Sequence, residues 1–119
     1  MPQTVTIVDV TLRDGLQDQP TVVSTDQKVA IARLLAAAGV PAMELTSFVR
    51  PEWVPQLADA EELLHRFDGQ GAVRQALVPN RRGLDRALQT SVECVVFVVS
   101  ASTLHNQHNL NRSTSESLG

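Results

Sequence analysis

The chain has 119 residues, of which 43% are apolar and 19% are charged, a balance typical of one soluble globular domain. Its formal net charge of −3 and its lack of a basic block interleaved with aromatic residues argue against nucleic-acid binding. No apolar run reaches the length of a membrane span, and no room for a signal peptide precedes the first predicted strand. With a single cysteine, Cys94, these features predict a cytoplasmic protein.

Apolar runs rich in β-branched residues alternate with helical patterns along the chain. Ser24-Thr-Asp-Gln27 is a capping box, so a helix is predicted to begin there and to end at Gly39. A second helical stripe begins after Pro55. The remaining predictions are strands at residues 5–10, 41–45, 72–78 and 93–99, and a short helix at residues 82–89.

This β-α-β-α-β-α-β order predicts an α/β fold with parallel strands, right-handed crossovers and strands buried on both faces. A second capping box at residues 113–116 announces a helix only three residues before Gly119. A helix of that length is too short to be stable by itself. We therefore expect the chain to be the amino-terminal portion of a larger enzyme, interrupted in its fourth βα unit.

Arg13 and Asp14 follow the first predicted strand, at the kind of position where α/β enzymes hold their chemistry. An aspartate there can bind a divalent cation, and a neighbouring arginine can stabilise an enolate or carboxylate. The alternative is a surface Asp-Gly turn in which Gly15 adopts a positive φ. Spacing alone leaves both interpretations open.

Glu44 is predicted at the end of the second strand, where it could orient the arginine or tune a metal, or could be a solvated charge. The loop that follows contains Phe48 and Trp53, which we expect to cover the end of the sheet as core residues. Asn80 after the third strand is predicted to be a helix N-cap rather than a polar group of the site.

The segment at residues 100–112 is polar and rich in asparagine. His105 and His108 could share a helical face, but no acidic partner typical of a zinc helix accompanies them, so substrate contact or hydrogen bonding within the loop is favoured. A Walker loop, a Gly-x-Gly-x-x-Gly motif and a Ser-His-Asp order are all missing from the sequence.

Two motifs carry a family resemblance. Asp9-Val-Thr-Leu-Arg-Asp-Gly15 resembles the signature of metal-dependent lyases and Claisen-type acyltransferases built on TIM barrels. Residues 44–56, with Gly15-Leu-Gln17, are similar specifically to the hydroxymethylglutaryl-CoA lyases, as are Asn80 and residues 100–113. The resemblance implies that residues 1–119 form the first half of a (β/α)8 TIM barrel, a single catalytic domain of the pyruvate-carboxyltransferase type.

The resemblance implies that Asp14 binds Mg²⁺ or Mn²⁺, and that Arg13 and Glu44 are catalytic, with Arg13 stabilising the enolate. It implies that Gln17 and Ser47 join Arg13 in lining the substrate region. The implied reaction is retro-Claisen cleavage of 3-hydroxy-3-methylglutaryl-CoA to acetyl-CoA and acetoacetate, as in leucine degradation and ketone body metabolism. The implied partners are an acyl-CoA thioester and, for the longer parent, further copies of itself, without nucleic acid or membrane.

The family's His-x-His metal pair, its late asparagine ligand and its glycine-flanked cysteine belong to later strands, and this sequence has none of them. Cys94 is therefore not the catalytic cysteine. We expect the isolated chain to be inactive and poorly folded, because half a barrel leaves unpaired edges. The alternatives are a condensing synthase of the isopropylmalate or homocitrate type, against which Leu16 and residues 48–56 argue, and an inactive truncated fragment.

Overall fold

The computed structural model describes residues 4–98. The predicted alternation of strands and helices is confirmed, with a further short helix and a 3-10 turn as additions. In chain order the elements are β1 (Val8–Asp9), α1 (Asp14–Gln17), α2 (Thr25–Ala37), β2 (Ala42–Ser47), a 3-10 turn (Pro55–Leu57), α3 (Ala60–Arg66), β3 (Val73–Leu77), α4 (Arg81–Leu88) and β4 (Cys94–Val96). The predictions for residues 100–113 and for the capping box at 113–116 lie outside the described residues.

The four strands form one parallel sheet in the order β1-β2-β3-β4. This architecture confirms the predicted α/β class. β1 is shorter than the predicted strand at residues 5–10, because only Val8 and Asp9 pair with β2. Val5 and Ile7, which precede the paired residues, are 83% and 64% exposed.

The two faces of the sheet differ in burial. In β3, Arg74 and Ala76 are buried on the face that packs against the helices, whereas Val73 on the other face is 44% exposed. Only β2 is buried along its whole length. The expectation that every strand would be buried on both faces is therefore wrong for β1, β3 and β4, because no layer among the described residues covers the second face. We call this second face the open face.

Local sequence signals position the helices. Ser24 Oγ accepts from the backbone N–H of Gln27, and the Gln27 side chain accepts from the Ser24 N–H, which confirms the capping box. Gly39 follows α2 with a φ of 93°, a conformation that glycine adopts at little cost. In residues 4–98, none of the helices has the length and apolar character needed to cross a membrane.

Candidate functional site

The segment after β1 turns at once into α1. The backbone N–H groups of Asp14 and Gly15 both donate to Val10 O, at 2.8 and 3.1 Å. Gly15 lies within this helical turn and is not among the glycines with positive φ. The alternative of an Asp-Gly turn that needs a positive φ at Gly15 is therefore wrong, and the turn instead directs Arg13 toward the neighbouring strand.

Arg13 is the centre of a cluster drawn from two elements. Its Nε donates to Glu44 Oε1 over 2.6 Å, and its Nη1 donates to Gln17 Oε1 over 3.1 Å. The Arg13 and Glu44 side chains are 18% and 10% exposed, so their ion pair is screened only in part by solvent. Asp14 Oδ1 lies 3.6 Å from Arg13 Nη1 on a side chain that is 67% exposed. Four of the predicted site residues thus meet in one place.

Glu44 lies in the middle of β2, because the strand continues to Ser47. The prediction that Glu44 ends the strand is wrong in this detail. Arg13 still reaches Glu44. β1 pairs with β2 so that Asp9, the last residue of β1, stands opposite Met43, and Glu44 is the next residue of β2. The turn that follows β1 therefore brings Arg13 beside Glu44.

An irregularity in β2 decides which face its residues share. Glu44 pairs with Gln75 and Ser47 pairs with Leu77, with a register shift between Glu44 and Thr46. Gln75 and Leu77 are two residues apart and project to one face, and paired residues project together. The bulge therefore places Ser47 on the open face with Glu44, although the two residues are an odd number of positions apart in the strand.

The predicted metal ligand, Asp14, lies at the surface. Asp14 offers an exposed carboxylate beside Arg13, which suits a hard divalent cation. Residues 4–98 contain no group of three or more His, Cys, Asp or Glu side chains that could hold a metal together. The chemistry of the Asp14 carboxylate is therefore suited to one ligand of such a cation, and the described residues do not bring a full ligand set together around it.

The loop after β2 is held by a residue that sequence reasoning missed. Arg86 of α4 donates to Val49 O at 3.1 Å, makes two 2.7 Å hydrogen bonds to Glu61 of α3, and lies 5.2 Å from the ring centre of Phe48. The hydrogen bonds with Arg86 hold the pKa of Glu61 below its ordinary value, and those with Glu61 raise the pKa of Arg86. The only sequence signal was an arginine at helical spacing, which is typical of a solvated face.

Phe48 and Trp53 behave differently from each other. Phe48 is 1% exposed and belongs to the core, as predicted. Trp53 is 64% exposed, so the expectation that it covers the end of the sheet is wrong. Its ring stacks instead with Arg50, whose guanidinium carbon lies 5.2 Å from the ring centre.

A pocket of about 830 Å³ opens between this loop and the start of α4. Asn80 Oδ1 accepts from Gly83 N at 2.9 Å, which confirms the predicted N-cap. The residues that line the pocket are Phe48, Arg50, Pro51, Glu52, Trp53, Ala58, Glu61, Asn80, Arg82, Gly83 and Arg86. None of the four clustered residues Arg13, Asp14, Gln17 and Glu44 lines this pocket.

Comparison with known proteins assigns the family. A model of the family described as HMGL-like matches residues 4–119. The chain belongs to this family. It is 43% identical over 118 residues to the hydroxymethylglutaryl-CoA lyase YngG of Bacillus subtilis, covering 98% of this chain and 40% of that protein. A crystal structure of the Bacillus subtilis HMG-CoA lyase superposes with a TM-score of 0.90 over the same shares of the two chains.

Two other relatives bear on substrate class. One is an HMG-CoA lyase from Acinetobacter baumannii whose structure was solved with coenzyme A and 3-methylmalate. It is 33% identical to this chain and superposes with a TM-score of 0.89, and the match covers 95% of this chain and 37% of that protein. The (R)-citramalyl-CoA lyase of Chloroflexus aurantiacus is 40% identical, covering 98% of this chain and 40% of that protein. The 119 residues thus span about 40% of the length of these relatives. The likeness to these structures supports the predicted half of a TIM barrel.

Proposed function

We propose that this chain supplies the first four strands of a hydroxymethylglutaryl-CoA lyase-like carbon–carbon lyase. The observation that carries the proposal is the cluster in which Arg13 bridges Glu44 and Gln17, within the residues that the family model matches. Arg13 follows the carboxyl-terminal end of β1, the side of a parallel sheet on which TIM-barrel enzymes bind substrate. Relatives named as lyases of acyl-CoA thioesters support the reaction class.

The reaction proposed is cleavage of the C2–C3 bond of 3-hydroxy-3-methylglutaryl-CoA. Loss of the tertiary hydroxyl proton leaves an alkoxide, whose electron pair forms the ketone of acetoacetate. The electrons of the broken bond form the enolate of acetyl-CoA, which takes up a proton at carbon. The charge that must be stabilised therefore develops on the thioester oxygen.

Arg13 is the residue suited to that charge. Glu44 and Gln17 fix its Nε and Nη1, which leaves its remaining N–H groups available to an enolate oxygen. A donor held in place before the reaction needs no reorganisation as charge develops. In this proposal Glu44 acts on Arg13. Substrate contact is assigned to Ser47, which shares a face with Glu44, and to Gln17, which bonds to Arg13.

Asp14 is proposed as a ligand of a divalent cation, Mg²⁺ or Mn²⁺. It is the one ligand that this part of the chain would provide. When bound, such a cation lowers the cost of deprotonating a hydroxyl and polarises a carbonyl oxygen. The high exposure of Asp14 leaves its carboxylate accessible for that role. A cytoplasmic location, a homo-oligomeric parent and a place in leucine degradation or ketone body metabolism stay predictions.

Two alternatives remain distinct from this proposal. One is a condensing synthase of the isopropylmalate or homocitrate type, which would form a carbon–carbon bond rather than break one. The other is an inactive chain of 119 residues, which would show no turnover by itself. The named relatives, which are lyases, favour cleavage over condensation.

The test uses the whole gene product that contains these 119 residues. Reading the coding sequence past codon 119 shows whether the frame continues into a His-x-His strand and a glycine-flanked cysteine. The product is then assayed with Mg²⁺ or Mn²⁺ for conversion of 3-hydroxy-3-methylglutaryl-CoA to acetyl-CoA and acetoacetate, with citramalyl-CoA as the competing substrate. Condensation of acetyl-CoA with a 2-oxo acid, in the absence of cleavage, would refute the proposal.

A further inference from the structure

The helix α1, which carries Asp14 and Gln17 and is preceded by Arg13, is too short to hold its own position. It has four residues, none of them fully buried, of which only Leu16 packs partly against the core, and isolated helices of this length are unstable. At its start, Arg13 is tied to Glu44. At its end, the Gln19 N–H donates to Leu16 O at 3.1 Å, so whatever holds Gln19 also holds the end of α1.

Gln56 holds Gln19 and so attaches the end of α1, as Glu44 attaches its start. It lies in the 3-10 turn Pro55–Leu57, and its Nε2 donates to Gln19 O over 2.5 Å, across 37 positions of the chain. The end of α1 and this turn are in contact. The bond connects the segment that follows β1 to the segment that follows β2.

The turn is itself anchored by a buried cation. Lys28 of α2 is 1% exposed, and its Nζ donates to Gln56 O and to Asp59 Oδ1, each at 2.6 Å. Asp59 Oδ2 accepts from Thr25 Oγ1 at 2.5 Å. A buried ammonium is costly unless it is fully paired, and both recorded partners of Lys28 lie at residues 56–59. The charge of Lys28 is thereby used to fix the turn against α2.

We propose that Gln56, anchored through its carbonyl by Lys28, is a positioning residue that sets the place of α1 and so of Arg13 and Asp14. This inference rests on the proposed function for its catalytic consequence. Gln56 does not touch the reacting atoms in the proposal. It acts through Gln19, by a donor that only its side chain provides.

The test compares variants of the whole gene product. Q56A and Q56E both remove the donor, since a carboxylate only accepts, whereas Q56K keeps a donor at similar reach. We expect Q56A and Q56E to lower kcat and to raise the Kd for Mn²⁺ by about tenfold, because a small misplacement caused by a change far from the reacting atoms can have an effect of this size or larger. Q56K is expected to restore most of both. The midpoint of urea unfolding should hardly change, because the bond is exposed.

Arg74 offers a matched control for Lys28. It is also a buried cation, 4% exposed, but it bonds to Leu64 O, Phe67 O, Ser91 and Glu93, none of which belongs to α1 or to the turn Pro55–Leu57. K28M and R74M should both lower the urea concentration at the unfolding midpoint. When Mn²⁺ binding is measured on the folded proteins, below that urea concentration, only K28M should bind more weakly.

Unchanged kcat and Mn²⁺ affinity in Q56A and Q56E would overturn the inference, as would an equal loss of Mn²⁺ affinity in K28M and R74M. Failure of the proposed function is recognised separately, by absence of lyase turnover in the unmodified protein. The Mn²⁺ affinities of the variants would still decide whether Gln56 positions α1.

Discussion

Arg13 Nε donates to Glu44 Oε1 over 2.6 Å, although 31 positions separate the two residues in the chain. Each side chain is also shielded from most of the solvent. A pair of this kind is worth more than an exposed ion pair, because solvent and salt screen it less. The contact joins the turn after β1 to the centre of β2.

The pair should behave as one unit in a double-mutant cycle of Arg13→Met and Glu44→Gln. Either change leaves the other member without its charged partner, so the free energies of unfolding should be non-additive by about 0.5–3 kcal/mol. Urea unfolding of the four proteins in the whole gene product measures this coupling. Additive losses would show that the two side chains act independently.

Arg13→Met should reduce kcat by about 10²–10³, the loss that follows removal of a fixed donor to an oxyanion. KM should change much less, because the donor is most effective when charge has developed. Steady-state cleavage of the thioester measures both constants. Arg33→Met, on an exposed position of α2, is the control and should leave kcat intact.

Asp14→Asn should raise the Kd for Mn²⁺ at least about tenfold, because the amide oxygen lacks the carboxylate charge. The free energy of unfolding should hardly move, since the Asp14 side chain is 67% exposed. Calorimetric titration with MnCl₂ gives the Kd. Asp18→Asn, also exposed and four residues later, should bind as the unmodified protein does.

Glu61 gives stability a dependence on acid pH. Its folded pKa is lowered by the hydrogen bonds with Arg86, so its contribution is present above the unfolded pKa of about 4.3 and is lost as pH falls through the folded pKa. Glu61→Gln should therefore lower stability at neutral pH and flatten its decline below about pH 4. Chemical unfolding across this range tests it.

Glu62→Gln is the matched control for Glu61. Glu62 is 60% exposed, and its nearest contact to Arg66 is 3.8 Å, a pair that contributes little. Its variant should retain the acid sensitivity of the unmodified protein. Equal flattening in both variants would contradict the role assigned to the Glu61–Arg86 pair.

Gly83→Ala should destabilise the protein by about 1–3 kcal/mol through overpacking. A Cβ at Gly83 would lie 2.7 Å from Phe48 O and 3.2 Å from Pro79 Cδ, and a backbone atom cannot yield as a flexible side chain does. Thermal unfolding measures the loss. Gly15→Ala, whose Cβ would meet atoms only at 3.9 Å, should show no such loss of stability.

Local chemistry explains which predictions are confirmed. The capping box at Ser24, the end of α2 two residues before Gly39 and the N-cap at Asn80 depend on residues within a few positions of each other, and the structure has all three. The expectation that Trp53 is buried is wrong because a large aromatic side chain by itself predicts burial, whereas its exposure depends on how the loop after β2 folds. Lys28 gave no signal of burial, since a lysine on a helix normally faces solvent.

The sequence by itself determined the α/β alternation, the helix caps and the presence of Arg13 and Asp14 after the first strand. These features follow from periodicity and near-neighbour bonding. Only the tertiary structure decided that Arg13 meets Glu44 and that a bulge in β2 brings Ser47 to the same face. Strand register and packing set both relationships, and a one-residue shift in register moves a side chain to the opposite face of a sheet.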